Sequence, residues 1–299
     1  MANVKVGKLL LEIEVTNTLA EGVQWHPETE SIWWTDIEGL ALYSFHLPSK
    51  SVIKHSTPYR VGCFAFIEND PRLLVAFEQG IAFYQIDSQE VQWLAKPEAQ
   101  LPTHRFNDGR VDRQGRFWAG TMLEDQSLST RAGLYKYSAA EQAQKMIDDV
   151  LISNGLCWSP CSNVMYHADS PKHEIYRYQF EPISGEIKHK SLFAQTAQNC
   201  FPDGSTVDSQ GFLWNAQWGG SKVVRYAPDG RIDMELFVPV SQPSCVAFAG
   251  TQLDLLVVTS ARQGLSAEQI ASQPKAGNLF IYQLHGIHGL AESKFVLPA

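Results

Sequence analysis

Long apolar runs are missing from this 299-residue chain. No stretch approaches the roughly 18 consecutive apolar residues of a membrane-crossing helix, so no membrane partner is expected. The start, Met1 to Lys8, has no continuous apolar core. Leu9 to Val15 is interrupted by Glu12 and Glu14, which predicts a strand there and not a secretory signal. Cysteine is scarce and odd in number: there are five with no zinc-like pairing among them, and Cys157 and Cys161 have three residues between them. Free thiols in a reducing cytoplasm are the reading. Basic charge is also short, 24 Lys and Arg against 32 Asp and Glu, for a net charge of −8. Those basic residues are scattered, so a nucleic-acid partner is excluded on electrostatic grounds. The Gly-x-Ser-x-Gly elbow, the His-Glu-x-x-His pair and the phosphate-binding glycine loop are all absent, which disfavours nucleophilic serine, zincin and nucleotide chemistry. Helical periodicity is nearly absent too. Ala139 to Asp149 and Ser266 to Ser272 are the only spans expected to be helical.

What the chain does have is aromatic residues, glycines and a repeat. Gly22, Gly62, Gly109, Gly155, Gly204 and Cys245 each open an apolar run, at spacings of 40, 47, 46, 49 and 41 residues. That is the period of a four-stranded propeller blade. A turn and an aromatic-rich second strand follow in the same register, as in His26-Pro27-Glu28 before Ile32-Trp33-Trp34 and Asp208 to Gly211 before Phe212-Leu213-Trp214. Third strands alternate, as in Ala41 to Phe45, Gly133 to Tyr137 and Asn278 to Tyr282, which fits one face packed on a neighbouring blade. An all-β, six-bladed β-propeller is predicted. Its single domain spans residues 1–299, and the strand from Lys8 to Val15 closes the last blade and removes its edge.

A polar residue precedes the glycine in four of these units: Glu21, Asp108, Asn154 and Asp203, with Asn107 one position earlier in its unit. The inner strand of every blade lines the central channel, so these residues converge although they are far apart in the chain. Carboxylates crowded into a small space oppose joint ionisation. A divalent cation resolves the conflict, and two carboxylates with an amide oxygen form a hard donor set for Ca²⁺, Mg²⁺ or Mn²⁺; Zn²⁺ also accepts carboxylates. Any one Asp-Gly or Asn-Gly is an ordinary turn former; the shared register of four is what points to a site. Arg105, two residues before Asn107, belongs to the same channel mouth and is a candidate substrate ligand. Asp112 and Asp208 start repeated turns and are expected to be structural, and Asp36 and Asp169 to support the site or the fold. His285 and His288 belong to a solvated glycine-flanked loop.

Several segments then carry a resemblance: Glu-Gly-x-x-Trp at Glu21 to Trp25, Arg-Phe-Asn-Asp-Gly at Arg105 to Gly109, and Gly-Arg-Phe-Trp-Ala-Gly-Thr-Met at Gly115 to Met122. Ile-Ser-Asn-Gly-Leu at Ile152 to Leu156, Pro-Asp-Gly at Pro202 to Gly204, and the late loop from Ser260 to Gly277 continue it in order. They resemble the regucalcin-like senescence marker protein/gluconolactonase family. The resemblance implies a metal-dependent lactonase acting on a small-molecule sugar lactone, monomeric or weakly dimeric. It places Glu21, Asn154 and Asp203 on the ligands of one divalent ion, calcium first. It places Arg105 and Asn107 on sugar-contacting residues and Asp203 on the catalytic acid/base. Regucalcin-type members carry a substrate-contacting Glu after Gly-Thr-Met; counting from the arginine puts Asp125 there, with Glu124 beside it. A propeller esterase acting on aryl esters or larger lactones, and a non-enzymatic calcium-binding propeller, are the alternatives. A wide apolar channel mouth would favour the esterase, whereas polar groups are expected there.

Overall fold

A computed structural model describes residues 7–297 apart from 126, 128, 139 and 140. The first strand, β1 (Lys8–Ile13), belongs to the last of six four-stranded antiparallel sheets. The first sheet runs outward through β2 (Ala20–His26), β3 (Ser31–Asp36), β4 (Ala41–His46) and β5 (Ser51–Ser56). The second holds β6 (Val61–Ile67), β7 (Asp70–Phe77), β8 (Gly80–Gln85) and β9 (Glu90–Ala95). The third holds β10 (His104–Val111), β11 (Phe117–Leu123), β12 (Ala132–Ser138) and β13 (Glu141–Val150). β14 (Ser153–Trp158), β15 (Val164–Asp169), β16 (Glu174–Phe180) and β17 (Ile187–Gln195) make the fourth. β18 (Phe201–Val207), β19 (Leu213–Trp218), β20 (Lys222–Tyr226) and β21 (Ile232–Phe237) make the fifth. The sixth orders β22 (Pro243–Ala249), β23 (Leu255–Ser260), β24 (Leu279–Gln283) and finally β1.

The first strand of each sheet packs on the first strand of the next, β2 on β6, β6 on β10, and so on to β22 against β2, so six blades close a ring. Burial follows the radius. β14 and β22 are buried throughout, whereas β5 leaves Val52 and Ile53 in solvent. The expected closure is present: β1 pairs with β24 through Glu12↔Phe280 and Ile13↔Leu279. The strand ends at Ile13, short of Val15, because the Asn278 side chain takes the Val15 and Thr16 amides instead.

The span 139–149 is not helical. Its described residues from Glu141 onward belong to β13, which pairs with β12. Local composition favours a helix there, but the blade needs a fourth strand to satisfy the outer backbone groups of β12. The second expected helix forms as α1 (Ala267–Ser272), where Ser266 and Gln269 make a reciprocal capping box.

Asp112 and Asp208 are structural, as expected. Asp112 accepts from the Gln114 and Arg116 amides, from Arg116 Nε at 2.7 Å and from Trp118 Nε1 at 2.8 Å. Asp208 repeats the pattern two blades on, with the Gln210 and Phe212 amides, Trp214 Nε1 and Arg225 Nε. Each carboxylate ties the turn after an inner strand to the tryptophan of the next strand. His285 and His288 are exposed, in keeping with a loop. The five cysteines are free, and among the described residues no helix is long and apolar enough to cross a membrane.

Candidate active site and metal centre

The polar-Gly signature in the sequence is a β-bulge in the structure. In β10 the pairing with β11 jumps from Phe106↔Thr121 to Gly109↔Ala119, which leaves Asn107 and Asp108 out of register. In β18 it jumps from Pro202↔Gln217 to Ser205↔Asn215 around Asp203 and Gly204. In β2 and β14 the break follows directly after Glu21 and Asn154. A bulge bends the strand and re-aims its side chains, and bulges gather beside active sites for that reason. Glycine is needed for two different causes. Gly155 holds φ at 63°, in the left-handed region. A Cβ on Gly204 would instead come within 2.5 Å of Cys245 Sγ, so the inner strands could not pack as closely.

Glu21, Arg105, Asn107, Asn154 and Asp203 all face one cavity of about 360 Å³ at the channel mouth. All five predicted site residues are therefore brought together. Asn107 donates from Nδ2 to Asn154 Oδ1 at 3.2 Å and to Ser153 O at 3.1 Å, while its own Oδ1 accepts from Arg105 Nη1 at 2.8 Å. Asn154 Nδ2 donates to Ser170 Oγ, which donates on to Pro202 O. That chain fixes the amide with its nitrogen on Ser170 and its oxygen beside Asn107. No sequence motif marked Ser170.

Support from behind comes from two aspartates. Asp36 accepts from the Leu19 and Thr18 amides, and Asp169 from the Leu151 and Ile152 amides. Each pins the backbone two residues ahead of a site side chain, Glu21 in one blade and Asn154 in the other. Asp108 differs from the expected grouping. It is buried off the cavity wall, and its Oδ2 accepts from the Leu156 amide at 3.2 Å, so it anchors β14 from below. Asp125 differs too: it is exposed and turned onto the Ser127 hydroxyl and amide. Glu124 is the acid that approaches Arg105, at 3.5 Å from Nε.

Electrostatics set the chemistry of the floor. Burial, and then the nearby Asp108 charge, raise the Glu21 carboxyl to about 8. Burial and then Glu21 push Asp203 well above the carboxylate range. Neither carboxylate accepts a side-chain hydrogen bond among the described residues. Among the described residues no lysine, histidine or cysteine lines the cavity. No three His, Cys, Asp or Glu side chains among the described residues are placed to hold a metal ion, so a cation here would depend on the Asn154 oxygen beside the two carboxylates. The donor set fits a hard divalent cation: two charged oxygens that repel each other unscreened, and one oriented amide oxygen. The mouth is not wholly polar, contrary to the expectation. Leu19, Met122, Ile152, Pro171, Phe201 and Trp218 form an apolar wall above the polar floor.

Relatives agree with this architecture. The SMP-30/Gluconolactonase/LRE-like region profile matches residues 19–262. An L-arabinolactonase from Azospirillum brasilense is 37% identical over 97% of this chain and 96% of its own length. A 6-deoxy-6-sulfogluconolactonase from Pseudomonas putida is 35% identical over 93% of this chain and 95% of its own. Among solved structures, a calcium-binding regucalcin from Agrobacterium tumefaciens superposes with a TM-score of 0.90 at 29% identity, covering 96% of this chain and 97% of that one. Fold, site and relatives together define a lactone-hydrolysing propeller enzyme. The chain belongs to the SMP-30/gluconolactonase/LRE-like family.

Proposed function

We propose that this enzyme opens five- and six-carbon sugar-acid lactones to aldonic acids in a metal-dependent hydrolysis. The observation that carries the reading is the pair of buried carboxylates, Glu21 and Asp203, facing one cavity with the Asn154 amide and, among the described residues, no other carboxylate, histidine, lysine or cysteine on its wall. Glu21, Asn154 and Asp203 would hold one divalent ion, Ca²⁺ first, with Mg²⁺, Mn²⁺ or Zn²⁺ as alternatives. When bound, such an ion supplies Lewis-acid polarisation of the lactone carbonyl. The chain's own groups do the rest. Arg105 Nη1 is spent on Phe106 O and Asn107 Oδ1, while Nη2 makes no hydrogen bond among the described residues and is free for a sugar oxygen. Asn107 is held rigid by three partners beside it. Asp203 takes a proton from the attacking water, and as the bond between acyl carbon and ring oxygen breaks it returns a proton to that oxygen. The apolar wall packs on the C–H face of the ring and excludes bulk water.

Two measurements test the ion site. Glu21→Gln keeps the side-chain shape and removes one charge, so Ca²⁺ or Mn²⁺ affinity by calorimetry should fall at least about tenfold. Unchanged affinity would remove Glu21 from the site. The second uses pH. Without an ion, the raised Glu21 and Asp203 carboxyls hold protons in the folded state that the unfolded chain has released. Stability from this source is therefore complete below the ordinary carboxylate pKa and is lost as pH rises toward about 8 for Glu21. A cation binds the ionised pair, so its stabilisation grows over the same window. Saturating Ca²⁺ should add little to Tm at pH 5 and roughly 5 °C at pH 8. Equal gains at both pH values would exclude the two carboxylates as ligands.

A second reading, hydrolysis of aryl esters or larger lactones, is favoured by the apolar wall with Phe201 and Trp218. Turnover of phenyl acetate faster than gluconolactone by the same preparation would establish it over the first.

A further inference from the structure

Arg60 immediately precedes β6, and it gathers three carboxylates from three blades at the channel mouth. Its Nη1 and Nη2 bond both oxygens of Glu124, at 2.7 and 3.1 Å. Its Nε donates to Glu78 Oε2 at 2.6 Å, and Nη1 also reaches Glu38 Oε1 at 3.3 Å. Glu78 follows β7 and Glu38 follows β3, so every partner comes from a loop at the same end of the ring. The clamp fixes Glu124 beside Arg105, and no other carboxylate lies within 4 Å of that guanidinium among the described residues. Arg105 is buried, only 4% exposed, and its Nε has no hydrogen-bond partner. Arg105 also divides two spaces. On one side is the candidate active site; on the other is a cavity of about 490 Å³, walled in part by Arg60, Glu78, Lys96 and Glu98. A charged substituent projecting from a lactone ring toward Arg105 would lie in the field of these side chains.

The two guanidiniums of Arg60 and Arg105 face the three carboxylates Glu38, Glu78 and Glu124, so this cluster carries one net negative charge. Glu98 is a separate group, met by His104 at 2.9 Å and Lys145 at 3.9 Å. We propose that Glu124, clamped by Arg60, is a specificity-determining residue that neutralises Arg105 and restricts the site to lactones without a charged substituent. The inference rests on the lactonase reading and refines its substrate class. The two relatives described above bear names that differ on this axis, a neutral pentonolactone and a sulfonated hexonolactone.

The test compares kcat/KM for glucono-1,5-lactone and for 6-phosphoglucono-1,5-lactone on metal-loaded enzyme. The parent should favour the neutral lactone. Glu124→Gln leaves Arg105 uncompensated, and the ratio of phosphorylated to neutral turnover should rise about tenfold, the scale of one unit charge at a partly exposed site. Glu78→Gln removes the same charge from Arg60 but no contact of Arg105, and should move the ratio less than about threefold. Arg60→Met makes the mouth more negative and should lower the ratio, so the sign is tested even if Glu124→Gln fails to fold. An unchanged ratio in Glu124→Gln, an equal shift in Glu78→Gln, or a rise in Arg60→Met overturns the proposal. Calorimetric binding of gluconate and 6-phosphogluconate separates this failure from failure of the lactonase reading. If the parent opens neither lactone, the functional reading falls, and Glu124→Gln binding 6-phosphogluconate no tighter than the parent then rejects the charge filter independently.

Discussion

Metal-loaded Asp203→Asn is expected to hydrolyse gluconolactone about 10²–10⁴-fold more slowly than the parent, the usual worth of general acid–base catalysis. Asparagine keeps an oxygen at the position of the carboxylate, so a ligand can survive while the proton acceptor is lost. The size of the effect follows from the lack of a substitute. Among the described residues the cavity wall carries no histidine or lysine, and Glu21 is the only other carboxylate on it. His167 stands behind Ser153, bonded to its hydroxyl at 2.8 Å, and burial lowers its pKa to about 3, so it remains neutral and away from the substrate. Metal content must be measured in the same preparation. Turnover near the parent rate with full occupancy would reduce Asp203 to a ligand and move the base elsewhere.

The second large effect concerns the fold. Asp208→Ala should lower unfolding free energy by about 3–5 kcal/mol, the cost of breaking a buried ion pair from one side. Asp208 is fully buried, and its removal strands the Gln210 and Phe212 amides, Trp214 Nε1 and the Arg225 guanidinium. Arg225 keeps Asp233 and Gln210, which limits the loss. Chemical denaturation monitored by tryptophan fluorescence reads the midpoint. A shift worth less than about 1 kcal/mol would mean that water replaces the carboxylate in that turn.

The ring and its floor were legible for one physical reason. A repeat of four strands forces the same backbone event, an inner-strand bulge, at the same place in each unit, and a bulge demands a small residue that the sequence displays. Glu21, Asn154 and Asp203 could be read because they sit beside those glycines. Asp108 shares the dipeptide but not the outcome, because the bulge in β10 turns it downward onto the Leu156 amide. The signature reports backbone geometry and leaves side-chain direction open. Arg60 was invisible for a different reason. Its partners Glu38, Glu78 and Glu124 are spread over 86 positions and no local pattern links them. Ser170 and the Glu292–Arg110 pair, which holds the tail across the far end of the channel at 2.9 Å, are likewise products of tertiary placement. β13 shows the converse, a local preference overruled by the hydrogen-bond needs of its neighbour.

The pairing of β1 with β24 has a consequence for how the chain is made. Glu12 and its partner Asn278 are 266 positions apart, so β1 waits for those 266 residues to be made before its partner strand exists. At the usual 5–20 residues per second the wait is roughly 13 to 53 s. During it the nascent chain holds five blades that can assemble in turn and a sixth that cannot. β1 meanwhile presents unpaired backbone together with Leu9 and Leu10, which remain 40% and 49% exposed even after folding. A strand in that state is a template for any other extended segment nearby, including the β1 of a neighbouring nascent chain. The contact that completes the ring is thus also the one most open to capture before the ring exists.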